Sequence, residues 1–165
     1  WLAGEWTSEG EDGLRIDMIL DLDDNGNYLV GESLITDTEG DSQTSHIRIG
    51  WNPATETLYW WTFDSNGGFA SGPWARKGND WTIASTGFTA DAEANSTTQT
   101  LIQVREDTMD WVAKDRMLID ETLPDMTLRF VRRAPDPEEL ENEPEPTAPE
   151  PSSEPDSEEV APTKE

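Results

Sequence analysis

Three stretches of the chain hold residue types suited to chemistry. Asp21 to Glu32, DLDDNGNYLVGE, matches the calcium-loop spacing D-x-[DN]-x-[DN]-G-x5-E at every position. In such a loop, oxygen ligands at alternate positions and a final bidentate Glu surround one ion. His46 is the single histidine, the one side chain type that titrates near neutral pH without perturbation. Tyr59 to Trp81, YWWTFDSNGGFASGPWARKGNDW, holds four of the eight tryptophans. That much aromatic surface would line an apolar pocket or fill a core. Carboxylates for acid–base work are everywhere, with 36 Asp and Glu in the chain. A carboxylate pair therefore means nothing before geometry is known.

Each motif has a plainer reading. A calcium loop of this type needs a helix on each side and a curl that brings its last Glu back to the ion. Here both flanks alternate as strands. With Asn25-Gly26 at a hairpin tip, Glu32 lies about six residues up a strand, roughly 20 Å away at about 3.3 Å per residue. What remains is an acidic tip over 21–27, an Asx-rich turn whose calcium binding the sequence leaves open. One histidine cannot build a multi-histidine metal site, and beside Ile47 on a strand it reads as structural or solvated. No G-x-S-x-G, phosphate-binding loop or dinucleotide fingerprint occurs. The absence of cysteine excludes disulfides, thiol catalysis and Cys-ligated zinc. Asn95-Ser96-Thr97 fits a glycosylation sequon, a short pattern that arises by chance. No cofactor is indicated.

The elements that carry these residues are strands. In LRIDMILDLD, Leu14, Ile16, Met18, Leu20 and Leu22 alternate with charged residues, with Ile19 the exception. Asn25-Gly26 then predicts a two-residue hairpin turn, setting Leu22 against Leu29, Leu20 against Gly31 and Ile16 against Ile35. Two-residue turns at Asn66-Gly67 and Gly78-Asn79 predict that Tyr59, Trp61 and Phe63 share a face with Ala70, Gly72 and Trp74. Trp81, Ile83, Ser85 and Gly87 extend that face, while Leu58 and Trp60 point to the other. An odd-length loop would reverse the pairing. Further strands are expected near 43–51, 96–105, 108–119 and 125–133, and no stretch has helical periodicity. About eight to ten strands with short loops predict an all-β, antiparallel up-and-down meander that closes into a barrel and so removes its edges.

Composition divides the chain at residue 134. Residues 135–165 hold twelve Asp or Glu, eight Pro, one Lys and no aromatic residue. This segment is expected to be a disordered acidic tail, a spacer or solubilising element. Residues 1–134 hold every aromatic residue and are expected to form the barrel domain. The net charge of −25 disfavours nucleic acid as a partner, because phosphate recognition needs clustered Lys and Arg. No apolar run approaches the roughly 18 residues of a membrane span. The chain opens at Trp1, within what reads as structured sequence, so a preceding segment with any signal peptide is expected.

Certain residues carry a family resemblance. Gly4-Glu5-Trp6 is similar to the G-x-W signature of the first lipocalin strand. The longer run from Ile49 to Trp81 is more specific, with Ile49-Gly50-Trp51, Pro53, Trp61 to Ser65, Gly67-Gly68-Phe69, Gly72, Trp74, Gly78 and Trp81. It resembles a lipocalin-like β domain of bacterial, often exported, proteins, in which it follows a SnoaL-like (nuclear-transport-factor-2-like) domain. The resemblance spans about residues 1–133. It implies a lipocalin-like barrel, an upstream domain as partner and a periplasmic or extracellular setting. The outline also resembles haem-binding nitrobindin-type barrels. Those use a histidine late in the chain, which this sequence lacks.

The reading that follows is a non-enzymatic binding or accessory module. It would take a small apolar ligand or pack on an upstream domain, with Tyr59, Trp61 and Trp74 as the ligand-binding wall. The competing reading is a hydrolase- or isomerase-like enzyme with carboxylates at the barrel mouth. A third is a purely structural barrel filled by its own side chains.

Overall fold

Alternation of apolar and polar residues dictates a sheet with one dry face, and a barrel is the way that face encloses itself. The computed structural model describes residues 1–10 and 13–134. The expected acidic tail, 135–165, lies outside the described residues. The strands are β1 (Gly4–Glu9), β2 (Arg15–Leu22), β3 (Tyr28–Thr36), β4 (Ser42–Asn52), β5 (Thr57–Asp64) and β6 (Phe69–Lys77). They continue as β7 (Asp80–Phe88), β8 (Ala94–Arg105), β9 (Thr108–Leu118), β10 (Glu121–Leu123) and β11 (Met126–Arg132). All pairings are antiparallel, and no helix occurs among the described residues.

Strands β1 to β9 pair in chain order, β9 pairs with β11, and β11 returns to β1. The result is a closed ten-stranded up-and-down barrel. β10 and β11 lie along β9 as one interrupted strand. Leu123 pairs with Arg116 and Met126 with Ala113, one uninterrupted register on β9. Pro124 lies in the gap, where its missing N–H cannot serve the ladder. Opposite this break, β9 carries one extra residue against β8 between Ser96 and Thr98, and Asp115 takes a φ of 50°. A β-bulge of this kind bends the strand where the barrel turns a corner.

The expected register of the first hairpin holds: Leu22 opposes Leu29, Leu20 opposes Gly31 and Ile16 opposes Ile35. The turn itself differs. Residues 24–27 form a four-residue loop, with Gly26 N–H donating to Asp23 O at 2.8 Å and Gly26 alone at positive φ. A two-residue and a four-residue loop have the same parity, so the faces are unchanged. Leu22 is nevertheless exposed, because the strand has run past the core by that point.

The second hairpin is a correction. Ser65, Asn66 and Gly67 form a three-residue loop, closed by Asp64 N–H donating to Gly68 O at 2.8 Å. Gly67 takes φ 102°, the left-handed position that such a loop requires. Odd parity moves every side chain of β5 to the face opposite the one expected. Trp60 therefore pairs with Gly72 and Thr62 with Ala70, facing inward, while Tyr59, Trp61 and Phe63 pair with Pro73, Ser71 and Phe69 on the outside. Across the next turn the expectation holds. Lys77 pairs with Asp80 around Gly78-Asn79, and Trp74, Ile83, Ser85 and Gly87 face the interior.

The core runs through the barrel: Trp6, Ile16, Leu20, Ile83, Met109 and Phe130 are among its most buried members. Leu2 plugs one end, held by the Trp6 indole, whose Nε1–H donates to Leu2 O at 2.9 Å. Arg132 of β11 lies over the Trp6 ring, 4.3 Å from its centroid. Its two terminal nitrogens donate to Ala3 O at 2.5 Å and Trp1 O at 2.7 Å. Gly4, at φ 115°, leaves room for that guanidinium, because a Cβ there would collide with it.

Candidate functional site in the barrel interior

Ten strands enclose more space than these side chains fill. A cavity of about 180 Å³ remains inside the barrel. For scale, an apolar cavity of about 150 Å³ holds a benzene molecule. The walls are chiefly apolar, including Ile16, Ile47, Trp60, Ile83, Leu101 and Phe130. Trp60 lies across from Gly72, where β6 runs so close to β7 that a Cβ would strike the backbone carbonyl of Ala84.

The polar groups of the lining are few: Ser33, Ser45, Thr62, Asp64 and Gln99. Ser45 Oγ donates to Asp64 Oδ1 at 2.6 Å, so these two satisfy each other in part. Asp64 is the one ionisable residue among the lining residues, and no second acid or base stands with it. Ser33, Thr62 and Gln99 have no side-chain hydrogen bond to a described residue, and of these Gln99, 7% exposed, carries the most donors and acceptors. Its neighbours in register are Ile83 on β7 and Ala113 on β9, neither of which can pair with it.

Two indoles add to this account. Trp74 and Trp111 line the cavity, and the Nε1–H of each is shut off from solvent without an acceptor. Trp74 packs edge-on against Trp81 with centroids 5.6 Å apart, and Trp111 against Phe130 at 5.9 Å. Trp81 is covered in turn by the Arg76 guanidinium, 5.3 Å from its ring centroid. Both tryptophans are thus held by aromatic packing, and their donors go without.

The residues singled out from sequence are divided by the β5 register. Trp74 lines the interior as expected. Tyr59 and Trp61 lie on the outer surface, with ring centroids 4.9 Å apart, and are no part of the interior wall. Trp60, assigned to the outside, takes their place. Outside, Trp61 joins Tyr28, Arg48, His46, Glu32 and Phe63 along an open groove. There Arg48 lies 4.9 Å from the Tyr28 ring centroid, and His46 Nδ1 is 3.1 Å from Glu32 Oε1. The calcium-loop match resolves into the β2–β3 hairpin. Asp23 Oδ1 accepts the backbone N–H of Asn27 at 2.8 Å and of Tyr28 at 3.0 Å, and Glu32 is engaged with His46. Among the described residues no group of three or more potential metal-ligating side chains occurs, and no helix is long and apolar enough to cross a membrane.

Sequence reasoning passed over Gln99, Trp111 and Asp64. Gln99 left a readable signal: in STTQTLIQV it stands two residues from Leu101, so it shares Leu101's inward face. A polar residue on an apolar face marks either a satisfied network or a site. No protein-family model matches the chain, and no curated protein matches its sequence.

Proposed function

We propose that the barrel is a non-enzymatic binding module that takes a small, mostly apolar ligand into its interior. The observation that carries this reading is the apolar cavity of about 180 Å³. A filled structural barrel has no use for such a void, since interiors otherwise pack to crystal density. The lining argues against the enzymatic alternative. Asp64 stands alone, whereas acid–base chemistry by carboxylates calls for a second group of complementary role. The likeness to lipocalin-like barrels supports the same reading, and with it an exported setting.

A second role, packing on an upstream domain, is favoured by the outer face. Phe63 is 54% exposed and Phe69 and Phe88 each 45%, on three neighbouring strands in one cross-strand row. Exposed rings in such a row suit contact with another surface.

Titrating the full chain with fluorobenzene, followed by fluorine NMR and tryptophan emission, tests the interior site. Saturable binding with a change in emission is expected, because Trp60, Trp74 and Trp111 line the cavity. Linear, non-saturating partition with unchanged emission would refute it.

A further inference from the structure

We infer that Gln99 is the specificity-determining residue of the interior cavity, and that the ligand carries a neutral head group with an acceptor beside a donor, a carboxamide or lactam. This rests on the interior-binding reading above. Gln99 is more than nine-tenths buried, lines the cavity and has no hydrogen-bond partner among the described residues. A primary amide offers a carbonyl acceptor and two N–H donors side by side. A second amide satisfies one of each in a paired, two-point contact, and a hydrocarbon satisfies none.

The cavity restricts the rest of the ligand. At about 180 Å³ it admits one six-membered ring with a short substituent, by comparison with the about 150 Å³ that holds benzene. No cation lines it, and Asp64 places a carboxylate there, so an anionic head would be buried beside like charge with no partner. Neutral amides are accepted and carboxylic acids in their ionised form are rejected. Ser45 does not compete for the head, because its hydroxyl already serves Asp64.

Three matched probes test this on the full chain: benzamide, ethylbenzene and benzoate, with affinities from calorimetry at neutral pH. Benzamide is expected to bind roughly tenfold or more tightly than ethylbenzene, the worth of a two-point hydrogen-bonded contact with the Gln99 amide. Benzoate is expected to bind most weakly. In Gln99→Met, which keeps the length and removes the amide, benzamide loses its advantage and ethylbenzene gains. Equal affinity for benzamide and ethylbenzene in the wild-type chain overturns the role of Gln99 and leaves the cavity reading standing. Absence of binding by either probe overturns both. The wild-type comparison does not depend on the variant folding.

Discussion

Two buried tryptophans make an internal experiment on what an indole N–H is worth in this barrel. Trp6 is 1% exposed, gives its Nε1–H to Leu2 O at 2.9 Å and receives the Arg132 guanidinium on its face. Trp74 is 8% exposed and its Nε1–H has no acceptor. Replacing either by Phe removes the same atoms. At Trp6 the change breaks a hydrogen bond, frees Leu2 from its tether and weakens a cation–π contact. At Trp74 it removes a donor that was already unsatisfied, which returns about 1–3 kcal/mol against the packing lost. Trp6→Phe should therefore cost at least about 1 kcal/mol more than Trp74→Phe. Urea unfolding of the two variants measures the difference directly. Equal losses would mean that Trp74 has an acceptor, such as an ordered water.

At the scale of the element, loops set the barrel's inside and outside, and three of them are variations on one turn. Asp37 to Gly40, Asp64 to Gly67 and Thr89 to Ala92 each close with the last residue's N–H donating to the first residue's carbonyl, at 3.2, 2.9 and 3.0 Å. In each, the first residue also donates to the carbonyl four positions on, the mark of a three-residue hairpin loop. The last loop position is left-handed, with φ 89° at Gly40, 102° at Gly67 and 62° at Ala92. Ala92 is the one without a glycine there. Its Cβ is strained in that conformation, so Ala92→Gly should stabilise the protein by about 0.5–1 kcal/mol, read as a rise in the urea midpoint with the slope unchanged. This motif also explains what the sequence withheld. Period-two alternation located the strands, and closure followed from their number and the cost of open edges. Parity was legible where neighbouring loop lengths agree, as at 24–27. It is ambiguous at Asn66-Gly67, where Asn-Gly is the strongest two-residue signal and Asp64 opens a competing turn. Asp at the first position and Gly at the fourth are the preferences of a type I turn. They favour the three-residue loop that turned Tyr59 and Trp61 outward and Trp60 inward. The cavity itself could not be read from sequence, since a void depends on how ten strands of side chains meet, and alternation says only which of them do.

For the whole molecule, the decisive question is how the ends of the sheet are joined. β1 and β11 share a ladder of just two residue pairs, Trp6 with Arg132 and Thr7 with Val131, against nine between β3 and β4. Side chains reinforce this seam. The Arg133 guanidinium reaches Asp17 on β2 at 3.0 Å and Glu5 at 3.3 Å, and its backbone N–H adds a bond to Glu5 O at 2.9 Å. Arg15 holds the same Asp17 carboxylate at 2.7 Å. On the other flank of β11, Arg129 grips Asp110 of β9 through two bonds of 2.7 and 2.9 Å. These contacts act within a barrel domain that carries 24 acids against ten bases, so the bulk electrostatics oppose the local pairs. Exposed ion pairs contribute little each, and self-repulsion is spread over the whole surface. Raising salt from low concentration to about 0.5 M should therefore raise the thermal midpoint, since screening removes more repulsion than attraction. A falling midpoint would mean that the seam pairs dominate. Acid separates the two effects. The Arg15 hydrogen bond, aided by Thr7 and the charge of Arg133, holds Asp17 below its ordinary pKa against the opposing effect of burial. Arg129 does the same for Asp110. A carboxylate whose folded pKa is depressed stabilises the fold above its unfolded value, about 3.9, and that contribution disappears as pH falls through the lower folded value. The stability gap between wild type and Asp17→Asn should accordingly be constant from pH 7 down to about 4 and then close. Because Asp17 is the carboxylate that ties Arg133 to β2, hydrogen exchange of the β1 and β11 amides, corrected for intrinsic rate, should speed up in the variant at neutral pH while the β3–β4 amides hold. A gap that does not narrow as pH falls below about 4, or exchange that rises uniformly around the ring, would show that the barrel is not opened at this seam.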